Sequence, residues 1–133
     1  MIIVDTSVWI EYFNGQDNPL TQKLDSLLGV EPIGIGDLML TEVLQGFRED
    51  KHYKDAKEHL LSLAIHNMLG QQAAISAADK FRALRKKGKT IRKTNDVIIA
   101  SYCIDNNHAL LFADKDFKPF VEHLGLKAVI AST

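Results

Sequence analysis

Cysteine is nearly missing from the 133 residues, with Cys103 standing alone. One thiol excludes an intrachain disulfide framework and a zinc site built on several cysteines, and it fits a reducing compartment. Proline occurs three times, and there is no proline-rich linker, repeat or low-complexity tract. No apolar run approaches the eighteen or so residues of a membrane span. The apolar start meets Asp5 at once without a basic leader, unlike a signal peptide. An excess of one charge is also lacking. Sixteen Lys plus Arg oppose seventeen Asp plus Glu, for a formal net charge of −1. That balance excludes a histone-like polycation but not nucleic acid as a substrate, because a local patch or a metal can supply the attraction.

What is present is ordinary for a folded chain: 46% hydrophobic and 25% charged residues. The length suits one domain spanning 1–133, expected in the cytoplasm. Residues 2–4 are a short continuous apolar run, as in a strand buried on both faces. Val8, Trp9, Tyr12 and Phe13 suggest a helical segment packed back on it, with Trp9 and Tyr12 read as core before groove. Asn18-Pro19 opens a helix whose inner face is Leu20, Leu24, Leu27 and Leu28, and Gly29 suits its exit.

Further strands are expected at 33–35, 64–69, 109–112 and 127–130. Helices are expected around Leu40–Phe47 and over 52–63, 74–87, 96–104 and 117–123. Strands alternating with helices in this way predict an α/β fold with a mostly parallel sheet covered on both faces.

In such a sheet, ligands bind beyond the carboxyl ends of the strands. Asp5 follows the first strand directly, and Asp114 follows the strand at 109–112 in the same manner. Asp96 falls in the first turn of a helix, and Glu42 in the helix after the second strand. Each has an everyday alternative: Asp5 as a helix cap, Asp114 or Asp116 as turn residues, Glu42 and Asp96 as helix charges. Gathered together, however, they would repel one another, and hard cations are the usual compensation. Two such ions about 4 Å apart can activate water and stabilise the attacking and leaving oxygens of a phosphodiester.

The segments carrying these acids, Ile2-Ile3-Val4-Asp5-Thr6-Ser7-Val8-Trp9-Ile10, Thr41-Glu42-Val43-Leu44-Gln45-Gly46, Thr94-Asn95-Asp96-Val97-Ile98-Ile99-Ala100 and Leu111-Phe112-Ala113-Asp114-Lys115-Asp116-Phe117, resemble in order and spacing the four motifs of PIN-domain ribonucleases, specifically VapC toxins. The resemblance covers essentially the whole chain. It implies a PIN-like three-layer α/β/α fold and a toxin of a type II toxin–antitoxin pair. The implied activity is a Mg2+- or Mn2+-dependent endoribonuclease, with one or two ions, leaving 5′-phosphate and 3′-hydroxyl ends.

By the same resemblance Asp5, Glu42, Asp96 and Asp114 are the catalytic and metal-binding positions, Glu42 acting directly or through water. Asp116 would serve a second metal or face the substrate. Thr6 or Ser7 would support a metal-associated water or the scissile phosphate. Phe112 departs from the pattern, standing where the family often has a hydroxyl. The resemblance also implies a homodimer and a VapB-like antitoxin, through which alone DNA would be contacted. Candidate interface surface lies on the helices around Leu38–Phe47 and Tyr53–Leu63.

Cys103, in an apolar helix face, reads as a small buried residue rather than a nucleophile. Arg82, Arg85, Lys86, Lys87, Lys89, Arg92 and Lys93 put seven cations within twelve residues, just ahead of Asp96. They are either a solvated helix end or an RNA backbone clamp. A different metal-dependent nuclease or phosphoesterase is the nearest rival. A haloacid-dehalogenase-like phosphatase would need an acid at position 7, where Ser7 stands, and the single Asp5 suits a receiver-like module poorly.

Overall fold

A computed structural model describes residues 1–131. Five strands, β1 (Ile2–Val4), β2 (Ile33–Gly36), β3 (Ala64–His66), β4 (Ala109–Leu111) and β5 (Lys127–Ala128), form one sheet. Its order is β3-β2-β1-β4-β5, and every neighbouring pair is parallel. The helices are α1 (Thr6–Phe13), α2 (Pro19–Leu27), α3 (Asp37–Leu44), α4 (Asp50–Leu61), α5 (Gln71–Lys86), α6 (Thr94–Asp105) and α7 (Lys118–Leu124). A 3-10 turn at Lys115–Phe117 precedes α7.

From β1 the chain steps outward to β2 and β3, then returns past β1 to β4 and β5. With right-handed crossovers, the outward and return steps place their helices on opposite faces. Accordingly α1 packs on α2 and α3, and α3 on α4, while α5 packs on α6 and α7. This is the three-layer α/β/α architecture expected from the order of elements. Ile3, Val4, Ile35, Leu110 and Leu111 are fully buried between the layers. That double coverage explains why these strands read as continuous apolar runs rather than alternating ones.

Local chemistry sets the element ends. Asn18 accepts from the Leu20 and Thr21 amides at 3.0 Å each, and Thr21 accepts from the Asn18 amide at 3.0 Å, a reciprocal cap with Pro19 in the first turn. Trp9 is fully buried and stacked on Phe13, which settles it in the core. Helix α3 begins at Asp37, earlier than its apolar spacing suggests. The Asp37 carboxylate accepts from the Leu38 amide (2.9 Å) and, across the fold, from the Met68 amide (3.2 Å). The last strand pairs over only two residues, shorter than its apolar sequence suggests.

Gly36 is a packing requirement. A Cβ there would overlap Sδ, Cε and Cγ of Met68, which is fully buried. We expect Gly36→Ala to cost about 1–3 kcal/mol by overpacking. In urea unfolding the midpoint should fall with the slope unchanged.

Candidate metal centre

The point at which the chain reverses its direction across the sheet lies between β1 and β4, where the strand ends of sheets with this topology leave a crevice. Asp5 leaves β1 into it, its amide still bonded to the Leu111 carbonyl of β4 at 2.9 Å. Asp114 follows β4 and accepts from the Asp116 amide at 2.9 Å, so it starts the 3-10 turn that carries Asp116 back toward the crevice. Asp96 enters from the first turn of α6, near the positive end of that helix. One carboxylate oxygen from each of Asp96, Asp114 and Asp116 can be chosen so that all three lie within 4.8 Å of one another.

Asp5 and Asp96 are buried, at 5% and 8% exposure, while Glu42, Asp114 and Asp116 are half-buried. Burial pushes the Asp5 carboxyl above its ordinary value. The Ser7 hydroxyl, donating to Asp5 Oδ2 at 3.2 Å, opposes that rise, and the charge of Glu42 reinforces it. Asp96 is pushed up to about 6, by burial first and then by the charges of Asp5 and Asp114, with Lys93 pulling the other way. This mutual influence ties Asp5, Glu42, Asp96 and Asp114 into one electrostatic unit. Although Asp5 precedes α1, its side chain makes no capping bond to that helix.

The hydroxyls flanking Asp5 are engaged with carboxylates. Thr6 Oγ1 donates to Glu42 Oε1 at 3.0 Å, joining α1 to α3, and Ser7 serves Asp5. The Thr6–Glu42 pairing was not foreseen from the sequence, since nothing local links residues so far apart. Phe112, lacking a hydroxyl, packs tilted on Phe117 with ring centroids 5.2 Å apart.

Asp96 Oδ2 is buried and has no hydrogen-bond partner. A bare oxygen in a nest of carboxylates is costly without a cation. The donor set is oxygen only, which suits a hard divalent ion. The nearby Cys103 thiol is buried and pushed up to about 12, chiefly by burial, so it supplies no thiolate.

The basic stretch lies beside this crevice. Arg82, Arg85, Lys86, Lys87, Lys89, Arg92 and Lys93 are all exposed along the end of α5 and the loop into α6. Arg85 lies over the Phe81 ring at 5.5 Å. Arg92 Nε reaches Asp116 Oδ2 at 3.3 Å. Lys80, at the head of the stretch, is turned inward and donates to Ser76, Ser101 and Asp105. It is therefore a tie between α5 and α6 rather than part of the exposed surface.

Compared with known families, residues 2–121 match the PIN domain. The chain belongs to the PIN-domain family. Among relatives of this PIN domain, a VapC ribonuclease of Mycobacterium bovis and ribonuclease VapC11 of Mycobacterium tuberculosis are each 28% identical over 130 residues. That stretch is 96% of this chain and 97% of each relative. In fold it is similar to a chain of the Rickettsia felis VapBC2 structure bound to a promoter DNA fragment, with a TM-score of 0.76 and 22% identity over 97% of this chain and 98% of that one. A chain of FitAB bound to IR36 DNA aligns with a TM-score of 0.79 and 18% identity, covering 97% and 94% of the two chains. The PIN-domain fold anticipated from the four motifs is thus present, with the acidic crevice at its carboxyl edge.

Proposed function

We propose that this PIN domain, acting as one domain over residues 1–133, is a divalent-metal-dependent endoribonuclease and the toxin of a type II toxin–antitoxin pair. One observation carries the metal dependence: the buried, partnerless Asp96 Oδ2 within a converging set of carboxylates. Asp5, Asp96 and Asp114 would hold the ion, Mg2+ or Mn2+, with Asp116 available to a second one. When bound, such an ion polarises a phosphodiester oxygen and lowers the pKa of a coordinated water.

The chain's own residues do the rest. Glu42 orients the attacking water and accepts its proton, held for that purpose by the Thr6 hydroxyl. Ser7 fixes the rotation of the Asp5 carboxylate. Arg82, Arg85, Lys86, Lys87, Lys89, Arg92 and Lys93 draw the RNA backbone over the crevice, countering an acidic site that would otherwise repel it.

The similarity to VapC ribonucleases and to a VapBC structure bound to DNA supports a VapB-like antitoxin as partner; a homodimer as the working unit and DNA contact through the antitoxin belong to the same proposal. A cleft of about 420 Å³ between the end of α1, the loop before α4 and α4, lined by Phe13, Asn14, Phe47, His52, Asp55 and Ala56, suits an antitoxin segment. No helix among the described residues is long and apolar enough to cross a membrane, and we place the activity in the cytoplasm.

Incubation of the purified chain with end-labelled single-stranded RNA tests the reaction. Cleavage should require Mg2+ or Mn2+, cease with EDTA, and leave 5′-phosphate and 3′-hydroxyl ends. Products ending in a 2′,3′-cyclic phosphate would overturn it, since they arise by attack of the RNA's own 2′-hydroxyl.

A further inference from the structure

Arg92 occupies an unusual position for a residue of an RNA-facing basic stretch. Its side chain is 73% exposed, yet it reaches inward to Asp116, whose side chain is 15% exposed. Among the described residues it is the one lysine or arginine whose ion pair enters the carboxylate cluster. The neighbouring Ile91 is buried at 5% exposure and anchors the loop, so Arg92 starts from a fixed point beside α6. Asp116 Oδ2 receives the guanidinium, and Asp116 is also one of the three acids able to converge on a cation. An oxygen donating its lone pairs to a guanidinium is a poorer ligand for a divalent ion. The planar guanidinium keeps further N–H donors free, and these match the oxygens of a phosphate.

We infer that Arg92 is an internal counter-ion of the cluster: it occupies Asp116 Oδ2 and so weakens cation binding at the converging carboxylates until a substrate phosphate draws it off. This presupposes the metal site proposed above and adds the order in which that site is completed. Without RNA, Asp116 stands with Asp96 and Asp114 but shares its Oδ2 with Arg92, so an ion there is held weakly. With RNA in place, Arg92 turns to the backbone phosphate, and Asp116 gives its full charge to the ion as the phosphodiester arrives. Arg92 is on this account a positioning residue, acting through Asp116. Arginine stays charged at every accessible pH, so the exchange responds to phosphate and not to protons.

Mn2+ binding, followed by the electron paramagnetic resonance signal of the free ion, separates this role from simple RNA clamping. The RNA-free wild type is compared with Arg92→Ala, Arg92→Lys and Lys87→Ala, with folding checked by circular dichroism. Lys87 is exposed at the end of α5 and makes no ion pair among the described residues, so its variant reports the loss of one charge alone. Arg92→Ala should bind Mn2+ about 3–10-fold more tightly than wild type, Arg92→Lys should fall between them, and Lys87→Ala should stay within about 1.5-fold. Adding RNA with an uncleavable backbone should tighten Mn2+ binding in wild type more than in Arg92→Ala. Equal affinities in wild type and Arg92→Ala, or equal tightening by Arg92→Ala and Lys87→Ala, would overturn the counter-ion role while leaving the metal site standing. Absence of Mn2+ binding in every variant would instead remove the metal site, and the counter-ion role with it.

Discussion

Asp96→Asn is expected to lower RNA cleavage by roughly a thousandfold or more while leaving the fold intact. The substitution keeps the shape of the side chain but removes the charge that a divalent ion needs at one of the two buried positions of the site. Asp5→Asn should behave alike, because Asp5 is the other buried acid of the cluster and is electrostatically coupled to Asp96. Thr6→Ala acts at one remove, through its hydrogen bond to Glu42, and should cost about 10–100-fold, the range for residues that support rather than make the coordination. Initial rates at saturating Mn2+ measure the series. Full activity in Asp5→Asn or Asp96→Asn would mean that the carboxylates do not hold the catalytic ion.

The second large effect is on stability, and it runs opposite in sign to the effect on catalysis. In the folded chain Asp96 titrates at about 6, against 3.8 as its ordinary value, mainly because it is buried and then because Asp5 and Asp114 repel its charge. The folded state therefore binds the Asp96 proton more tightly than the unfolded state does. The contribution of this proton to stability is complete below about pH 3.8 and is lost as pH rises through 6. By pH 8 the metal-free chain has given up roughly 2–3 kcal/mol at this one residue.

Asp96→Asn removes that loss. Relative to wild type without metal, it should be nearly neutral at pH 4 and more stable by roughly 2 kcal/mol at pH 8, raising the melting temperature by several degrees. Mn2+ at pH 8 should raise the melting temperature of wild type, because binding only the folded state stabilises it, and should do much less for Asp96→Asn. Thermal melts at the two pH values, with and without Mn2+, give all four comparisons. A wild-type stability that rises from pH 5 to 8 relative to the variant would contradict the assignment.

The sequence makes the acidic positions legible for a simple reason. Asp5 and Asp114 each terminate an apolar run, and a parallel sheet delivers the ends of its strands to one edge. The continuous runs 2–4 and 109–111 could be read as doubly covered strands because burial on both faces removes any need for alternation. Boundaries were less legible where a distant group sets them. The start of α3 depends on Asp37, whose partner Met68 lies across the fold, and the extent of β5 depends on its pairing with Ala109 and Leu110 of β4.

The pairings within the site were hidden for the same reason. Thr6 with Glu42 and Arg92 with Asp116 are meetings between elements that no local pattern joins. The basic stretch could be recognised as charge, but its division between inward Lys80, paired Arg92 and the exposed remainder follows from helix packing.

The strand order has a consequence for how the candidate metal centre comes into being. β1 sits in the middle of the sheet and takes β4 as its neighbour, so Asp5 waits through the synthesis of more than a hundred residues for Asp114 to arrive. A growing polypeptide that has placed β1, β2 and β3 holds Asp5 and Glu42 but lacks the other half of its carboxylates. No nascent or prematurely ended chain stopping short of residue 114 can complete the centre.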